Sequence, residues 1–262
     1  MQPNDLNKAL DVAIEISSQS GQLIKDSLEI GIKRDWKSDD TPVTAVDKKV
    51  NQLVIDTISK EYPDHSILAE EGSLTKENAP YTWVCDPIDG TFPYMHGIPI
   101  VTFTLALVNS QGDTLLGLIY DPFTSRRYTA TLGQGAYLNG QKLKTNQTLM
   151  SLNHTSVGVV YWGDNKSYMT PLVDKLLDKG AKVFAPNSIA YMDALVAAGE
   201  FSATIFPGLS AHDSAAASCI VTEAGGVYRS MDDKVERYDR PCNGHIAAAN
   251  EIVYSHIRRL MN

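Results

Sequence analysis

Nine residues constrain this chain more than any others: Trp83-Val84-Cys85-Asp86-Pro87-Ile88-Asp89-Gly90-Thr91. Trp83, Val84 and Cys85 read as the end of a buried strand, which Pro87 stops because it has no N–H to give the ladder. That predicts a tight turn in which the carboxylates of Asp86 and Asp89 and the carbonyl of Ile88 face one point. Hard oxygen ligands converging on a rigid turn suit Mg²⁺. Gly90 lets the backbone pass close to a ligand, and its N–H and that of Thr91 would point at a bound anion. A plain surface turn fits the same residues, since Asp, Pro and Gly are ordinary turn formers.

Two further motifs weigh against the plain turn. Upstream stands Ala69-Glu70-Glu71-Gly72-Ser73. Near the C-terminus a small-residue helix is opened by His212-Asp213 and closed by Glu223-Ala224-Gly225-Gly226. In this order the three motifs resemble the inositol monophosphatase family of Mg²⁺-dependent, lithium-sensitive phosphatases. That family's pattern is E-E, then D-P-I/L-D-G-T, then W-D-x-A-A followed by E-A-G-G. The resemblance runs from about Thr44 to Asn250, and three motifs in register are a far stronger signal than any one.

The resemblance implies a mixed α+β and α/β fold, layered α-β-α-β-α, with the site between two lobes. It implies two or three Mg²⁺ ions per site. Glu70, Asp86 and the Ile88 carbonyl would hold one ion, and Asp86, Asp89 and Asp213 a second. Thr91, oriented by Asp47 of the T-x-x-D motif, would steer a water with Glu70, making Glu70, Thr91 and Asp47 the catalytic group. Thr44 and Asp47 also read as a helix capping box, and the two roles are compatible. Asp89, Gly90, Thr91, Ile189, Phe206 and Asp213 would face the substrate, a small phosphorylated metabolite. Relatives often dimerise, so a homodimer is expected.

Carboxylates clustered without a cation would repel and protonate, so four of them from three segments make physical sense around metal. Glu71 alternates to the opposite strand face and reads as solvated or structural. Glu223 reads as helix-end structure. His212 stands where the family usually has Trp and reads as a packing substitution, and no chemistry is assigned to His96.

The substrate wall departs from the inositol pattern. Phe206 stands where relatives acting on inositol phosphates carry an acid, Ile189 replaces a small residue, and Phe92-Pro93-Tyr94 follows Thr91. Polar partners in a site discriminate strongly, so their loss redirects specificity. The reading is therefore inositol-1-monophosphatase-like. A 3′-phosphonucleotide, histidinol phosphate or sugar (bis)phosphate phosphatase, or a regulatory binding protein of the same fold, stands as the alternative. Tyr161 and Trp162 are candidate walls for a flat substrate.

Composition bounds the rest. With 23 Lys and Arg against 31 Asp and Glu, the net charge of −8 argues against a nucleic-acid partner. An acidic protein acting on phosphate needs cations to reverse the local sign. Cys85, Cys219 and Cys242 lack metal spacing and read as buried thiols. Residues 1–5 lack a signal-peptide pattern, and the apolar run 98–108 is too short for a bilayer. A cytoplasmic protein with no membrane partner is the expectation.

Periodicity predicts helices at 5–28, 44–60, 168–177, 188–198, 213–223 and 251–260. Strands are expected at 66–69, 82–85, 101–108, 115–120, 127–131, 136–138, 156–161, 182–184, 202–205 and 245–249. Asn139-Gly140 signals a type I′ hairpin. Residues 33–42, with Trp36, read as a mobile loop. The polar stretch 145–153 divides an N-terminal α+β lobe (1–145) from a C-terminal α/β lobe (146–262).

Overall fold

The computed structural model describes residues 3–28, 34–36, 42–160, 166–208 and 210–261. The chain opens with helices α1 (Pro3–Asp26) and α2 (Ala45–Glu61), between which strands β1 (Arg34–Trp36) and β2 (Pro42–Thr44) pair antiparallel. The expected loop at 33–42 thus contains strands, too short to show a period. The Trp36 side chain lies outside the described residues, as do Tyr161 and Trp162.

A seven-stranded sheet follows. It runs β3 (Ser66–Ala69), β4 (Tyr81–Asp89), β5 (Thr102–Asn109), β6 (Thr114–Asp121), β7 (Arg126–Thr131), β8 (Gly135–Leu138) and β9 (Gln141–Lys142), in chain order. Only the β3–β4 pair is parallel. Asn139 and Gly140 both have positive φ, as a type I′ turn requires. A short helix, α3 (Thr91–Tyr94), follows β4.

The second sheet has five strands in the order β11-β10-β12-β14-β13. These are β10 (Ser156–Val159), β11 (Lys182–Phe184), β12 (Ala203–Phe206), β13 (Val227–Ser230) and β14 (His245–Ala248). β13 was not anticipated. Four helices accompany this sheet: α4 (Lys166–Asp178), α5 (Ile189–Ala197), α6 (Ala215–Glu223) and α7 (Glu251–Met261).

Side-chain alternation on β4 and its neighbours sorts the layers. Trp83, Cys85, Phe103, Leu105 and Leu118 face α1 and α2. Val84, Ala106, Ile119 and Tyr128 face the opposite way, onto α5 and α6, which also meet Ala247 of β14. The far face of the second sheet packs on α4 and α7. The result is the α-β-α-β-α sandwich, with α5 and α6 buried between the sheets. α6 lies unusually close to β6: a Cβ on Gly117 would stand 2.3 Å from the Ala216 carbonyl oxygen. Small residues along α6 permit that approach.

Pro87 does not end its strand. β4 continues to Asp89 through a bulge, with Asp86 opposite Thr104 and Asp89 opposite Thr102. The residues between have no ladder partner, so a proline without an N–H fits there at no cost. The expected tight turn is this bulge. Likewise Asp213 does not lie inside a helix: α6 begins at Ala215 with Ser214 as N-cap.

Candidate active site

Three chain segments bring the acidic residues to one place. The β4 bulge aims Asp86 and Asp89 off the end of the strand, and the residues leading into α6 add Asp213. Ligand oxygens of these three lie within 4.8 Å of one another. Asp86 and Asp89 are buried, and Asp213 is partly exposed. Glu70 follows β3, its N–H bonded to the Cys85 carbonyl at 3.3 Å beside Asp86. Its charge is the largest neighbouring one acting on Asp86.

Burial pushes the Asp86 carboxyl well above the usual carboxylate range, and Glu70, Asp89 and Asp213 add to the rise. Burial also raises Asp89 to about 6, against the pull of hydrogen bonds from Ser188, Thr102 and the Ile189 and Tyr191 amides. These are carboxylates short of positive charge. A hard divalent cation satisfies that donor set, so the residues present fit Mg²⁺.

Asp47 does both things the sequence allowed. It accepts from the Thr44 N–H at 2.9 Å, completing a capping box on α2. Its other oxygen lies 3.3 Å from the Thr91 hydroxyl. That hydroxyl is also 3.0 Å from the Ile88 carbonyl, so its single proton has two acceptors. Burial raises Asp47 to about 6, with Glu71 and Glu70 adding to the rise although Thr44 opposes it.

Gly90 joins these pieces. Its φ of 96° is left-handed, and a Cβ there would stand 2.6 Å from the Ile100 carbonyl. No other residue fits without strain.

Ile189 donates its N–H to Asp89 at 2.9 Å. Its side chain packs with Val160, Met192 and Phe206 in a small apolar cluster. Phe206, at the end of β12, is buried and pairs in register with His245, the rings 5.3 Å apart. Phe206 therefore reaches the aspartates through Ile189. The His212 ring Nε2 lies 3.9 Å from Asp213 Oδ2, and the His212 carbonyl accepts from the Thr104 hydroxyl. Glu223 accepts from the Gly133 and Gly135 amides at 2.8 and 2.7 Å, holding the β7–β8 turn against α6. All three cysteines are free and buried.

Sequence reasoning missed Thr102 and Ser188, which both donate to Asp89. It also missed the fully buried Asp193–His245 pair at 2.9 Å. A serine at a helix start carries a capping signal and nothing more. A histidine opening an apolar strand carries none.

The model of the inositol monophosphatase family matches residues 5–261. The chain is similar to the Nus factor SuhB of Escherichia coli, with 33% identity over 251 residues, 94% of this chain and 92% of that protein. It is 30% identical over 262 residues to inositol monophosphatase 1 of Bos taurus, covering 96% of this chain and 93% of the other. The IMPase of Thermotoga maritima superposes with a TM-score of 0.88 at 25% identity, over 97% of each chain.

Proposed function

The chain belongs to the inositol monophosphatase family, and from that premise we propose that it is a Mg²⁺-dependent phosphomonoesterase hydrolysing a small phosphorylated metabolite. The observation that carries the reading is the convergence of Asp86, Asp89 and Asp213 from segments far apart in the chain. We assign Glu70, Asp86 and the Ile88 carbonyl to one cation, and Asp86, Asp89 and Asp213 to another. Bound there, Mg²⁺ would lower the pKa of a water and neutralise charge on the leaving oxygen.

The chain's own groups orient and deprotonate that water. When Thr91 Oγ1 donates its proton to Asp47 Oδ1, its lone pairs are left to accept from the water. The Glu70 carboxylate is the acceptor for the second water proton. The N–H groups of Gly90 and Thr91 would donate to phosphate oxygens, held in place by the left-handed Gly90 backbone. Phosphoryl transfer depends mostly on such positioning and charge neutralisation, so no covalent phosphoenzyme is required.

Inositol 1-phosphate is the reference substrate. Ile189 and Phe206 are buried in an apolar cluster; as the substrate wall assigned to them they would offer no acceptor for ring hydroxyls, which favours a flatter organic group. A 3′-phosphonucleotide, histidinol phosphate and fructose 1,6-bisphosphate are the alternatives. The similarity to a relative named as a Nus factor supports a second reading, in which the protein acts through a partner. Phosphate release from these four compounds and an aryl phosphate, with Mg²⁺ and then with chelator, separates the two. Chelator-sensitive release with one preferred substrate is expected. Binding of Mg²⁺ without release from any compound would overturn the enzyme reading in favour of the second.

A further inference from the structure

We infer that Ser188 is a positioning residue for the cation site: its hydroxyl, with the amides that open α5, fixes the Asp89 carboxylate beside Asp86 and Asp213. The inference rests on reading those three aspartates as cation ligands. Ser188 and Asp89 are 99 residues apart, yet their side chains bond at 2.5 Å.

The arrangement departs from ordinary capping. Ser188 is the N-cap residue of α5, where a serine hydroxyl usually accepts from the first amides of its own helix. Here it makes no such bond. Asp89 does that work from the other sheet, accepting from the Ile189 amide at 2.9 Å and the Tyr191 amide at 3.4 Å. The Ser188 hydroxyl, released from capping, donates to Asp89 Oδ2 alongside Thr102 at 2.8 Å.

The surroundings allow Ser188 little freedom. Asn187 before it has φ 59°, a left-handed conformation that costs a non-glycine residue free energy. Ser188 itself is fully buried. A Cβ on Gly90 would stand 3.0 Å from the Ser188 Cβ, so the serine is wedged between Gly90 and Asp89.

Three donors therefore converge on Oδ2 and one on Oδ1. A carboxylate has about four lone-pair sites, and the lighter load on Oδ1 leaves it acceptor capacity. A carboxylate gripped in this way cannot swing into a hydrated rotamer. Removing the hydroxyl leaves Oδ2 with Thr102 and a distant amide and Oδ1 with the Ile189 amide alone, and loosens the Asp89 rotamer. Binding a cation must then order Asp89 first, which weakens affinity. By linkage, a bound cation must also tighten the start of α5.

The test is Mn²⁺ titration of the full chain, read by electron paramagnetic resonance, for the wild type, Ser188→Ala and Ser202→Ala. Ser202 is the control for general loosening. It is buried in the same half of the chain, but its hydroxyl bonds go to Thr155 and Ser156, away from the aspartates. Ser188→Ala is expected to raise the Mn²⁺ dissociation constant about tenfold, the usual effect of losing an outer-sphere partner. Ser202→Ala should lower the melting temperature and leave Mn²⁺ affinity within about twofold.

Equal affinities for wild type and Ser188→Ala overturn the inference while leaving the cation site intact. Equal weakening by both variants also overturns it, in favour of general loosening. A wild type that does not bind Mn²⁺ overturns the reading beneath it as well. Should Ser188→Ala not fold, hydrogen exchange on the wild type decides. Saturating Mg²⁺ should slow exchange at the Ile189 and Tyr191 amides, and unchanged rates refute the link.

Discussion

Replacing Gly117 with alanine tests how tightly α6 is seated on β6. The new Cβ would lie 2.3 Å from the Ala216 carbonyl oxygen and 3.1 Å from its carbonyl carbon. Both neighbours are backbone, so no side chain can turn aside. An ordinary carbon–oxygen contact needs about 3.3 Å, so α6 must retreat by roughly 1 Å, and overpacking of this kind costs about 1–3 kcal/mol. Alanine recovers about 0.5–1 kcal/mol of chain entropy at a strand glycine whose φ is not left-handed. A net loss of up to about 2.5 kcal/mol remains, a fall of up to roughly 10 °C in Tm for a chain of this size.

The same retreat acts on the site. Asp213 leads into α6 one turn before Ala216, so the helix cannot back away without drawing Asp213 from Asp86 and Asp89. Gly117→Ala should therefore lower both calorimetric Tm and Mg²⁺ affinity measured by titration calorimetry. An unchanged or raised Tm with unchanged affinity would refute the close seating. A lowered Tm with unchanged affinity would refute the mechanical link between α6 and Asp213.

Burial raises Asp47 and Asp89 from 3.8 to about 6, and pushes Asp86 well above the usual carboxylate range. A raised carboxyl contributes stability that is complete below pH 3.8 and is lost as pH rises through about 6. The metal-free protein should lose that contribution between about pH 4 and 7, and added Mg²⁺ should raise Tm more at pH 7.5 than at pH 5. Equal increments at the two pH values would contradict the assignment. Asp193→Ala removes one partner of a fully buried pair with His245, so chemical denaturation should register a loss of about 3–5 kcal/mol. A loss below about 1 kcal/mol would show that His245 finds another partner.

Much of the candidate site was legible because each of its residues sits in a short motif with its own local chemistry. Asp86, Ile88, Asp89, Gly90 and Thr91 are consecutive or nearly so, and the capping box already tied Asp47 to Thr44. Strand β5 was equally plain as an apolar run, since both its faces are buried and within residues 101–108 Thr102 and Thr104 alone interrupt it. What failed locally failed for physical reasons. Pro87 reads as a strand stop unless a bulge removes the need for its missing N–H. Three-residue strands such as β1 and β2 are too short to carry a period. The grip of Ser188 on Asp89 joins residues from opposite halves of the chain, and no window of sequence contains both. The middle placement of α5 and α6 is likewise a matter of assembly, which the family resemblance supplied and periodicity could not.

Burying α5 and α6 between the two sheets has a consequence during synthesis. The seven-stranded sheet is complete at Lys142, but the helices that cover its inner face end only at Glu223. At about 5–20 residues per second, the intervening eighty or so residues take roughly 4–16 s to emerge. Until α6 emerges, the surface of Val84, Ala106, Ile119 and Tyr128 lacks its full native cover. The ribosome therefore displays an apolar sheet face for seconds in each round of translation. A chaperone that recognises such faces has its best opportunity on this chain between the completion of β9 and the arrival of α6.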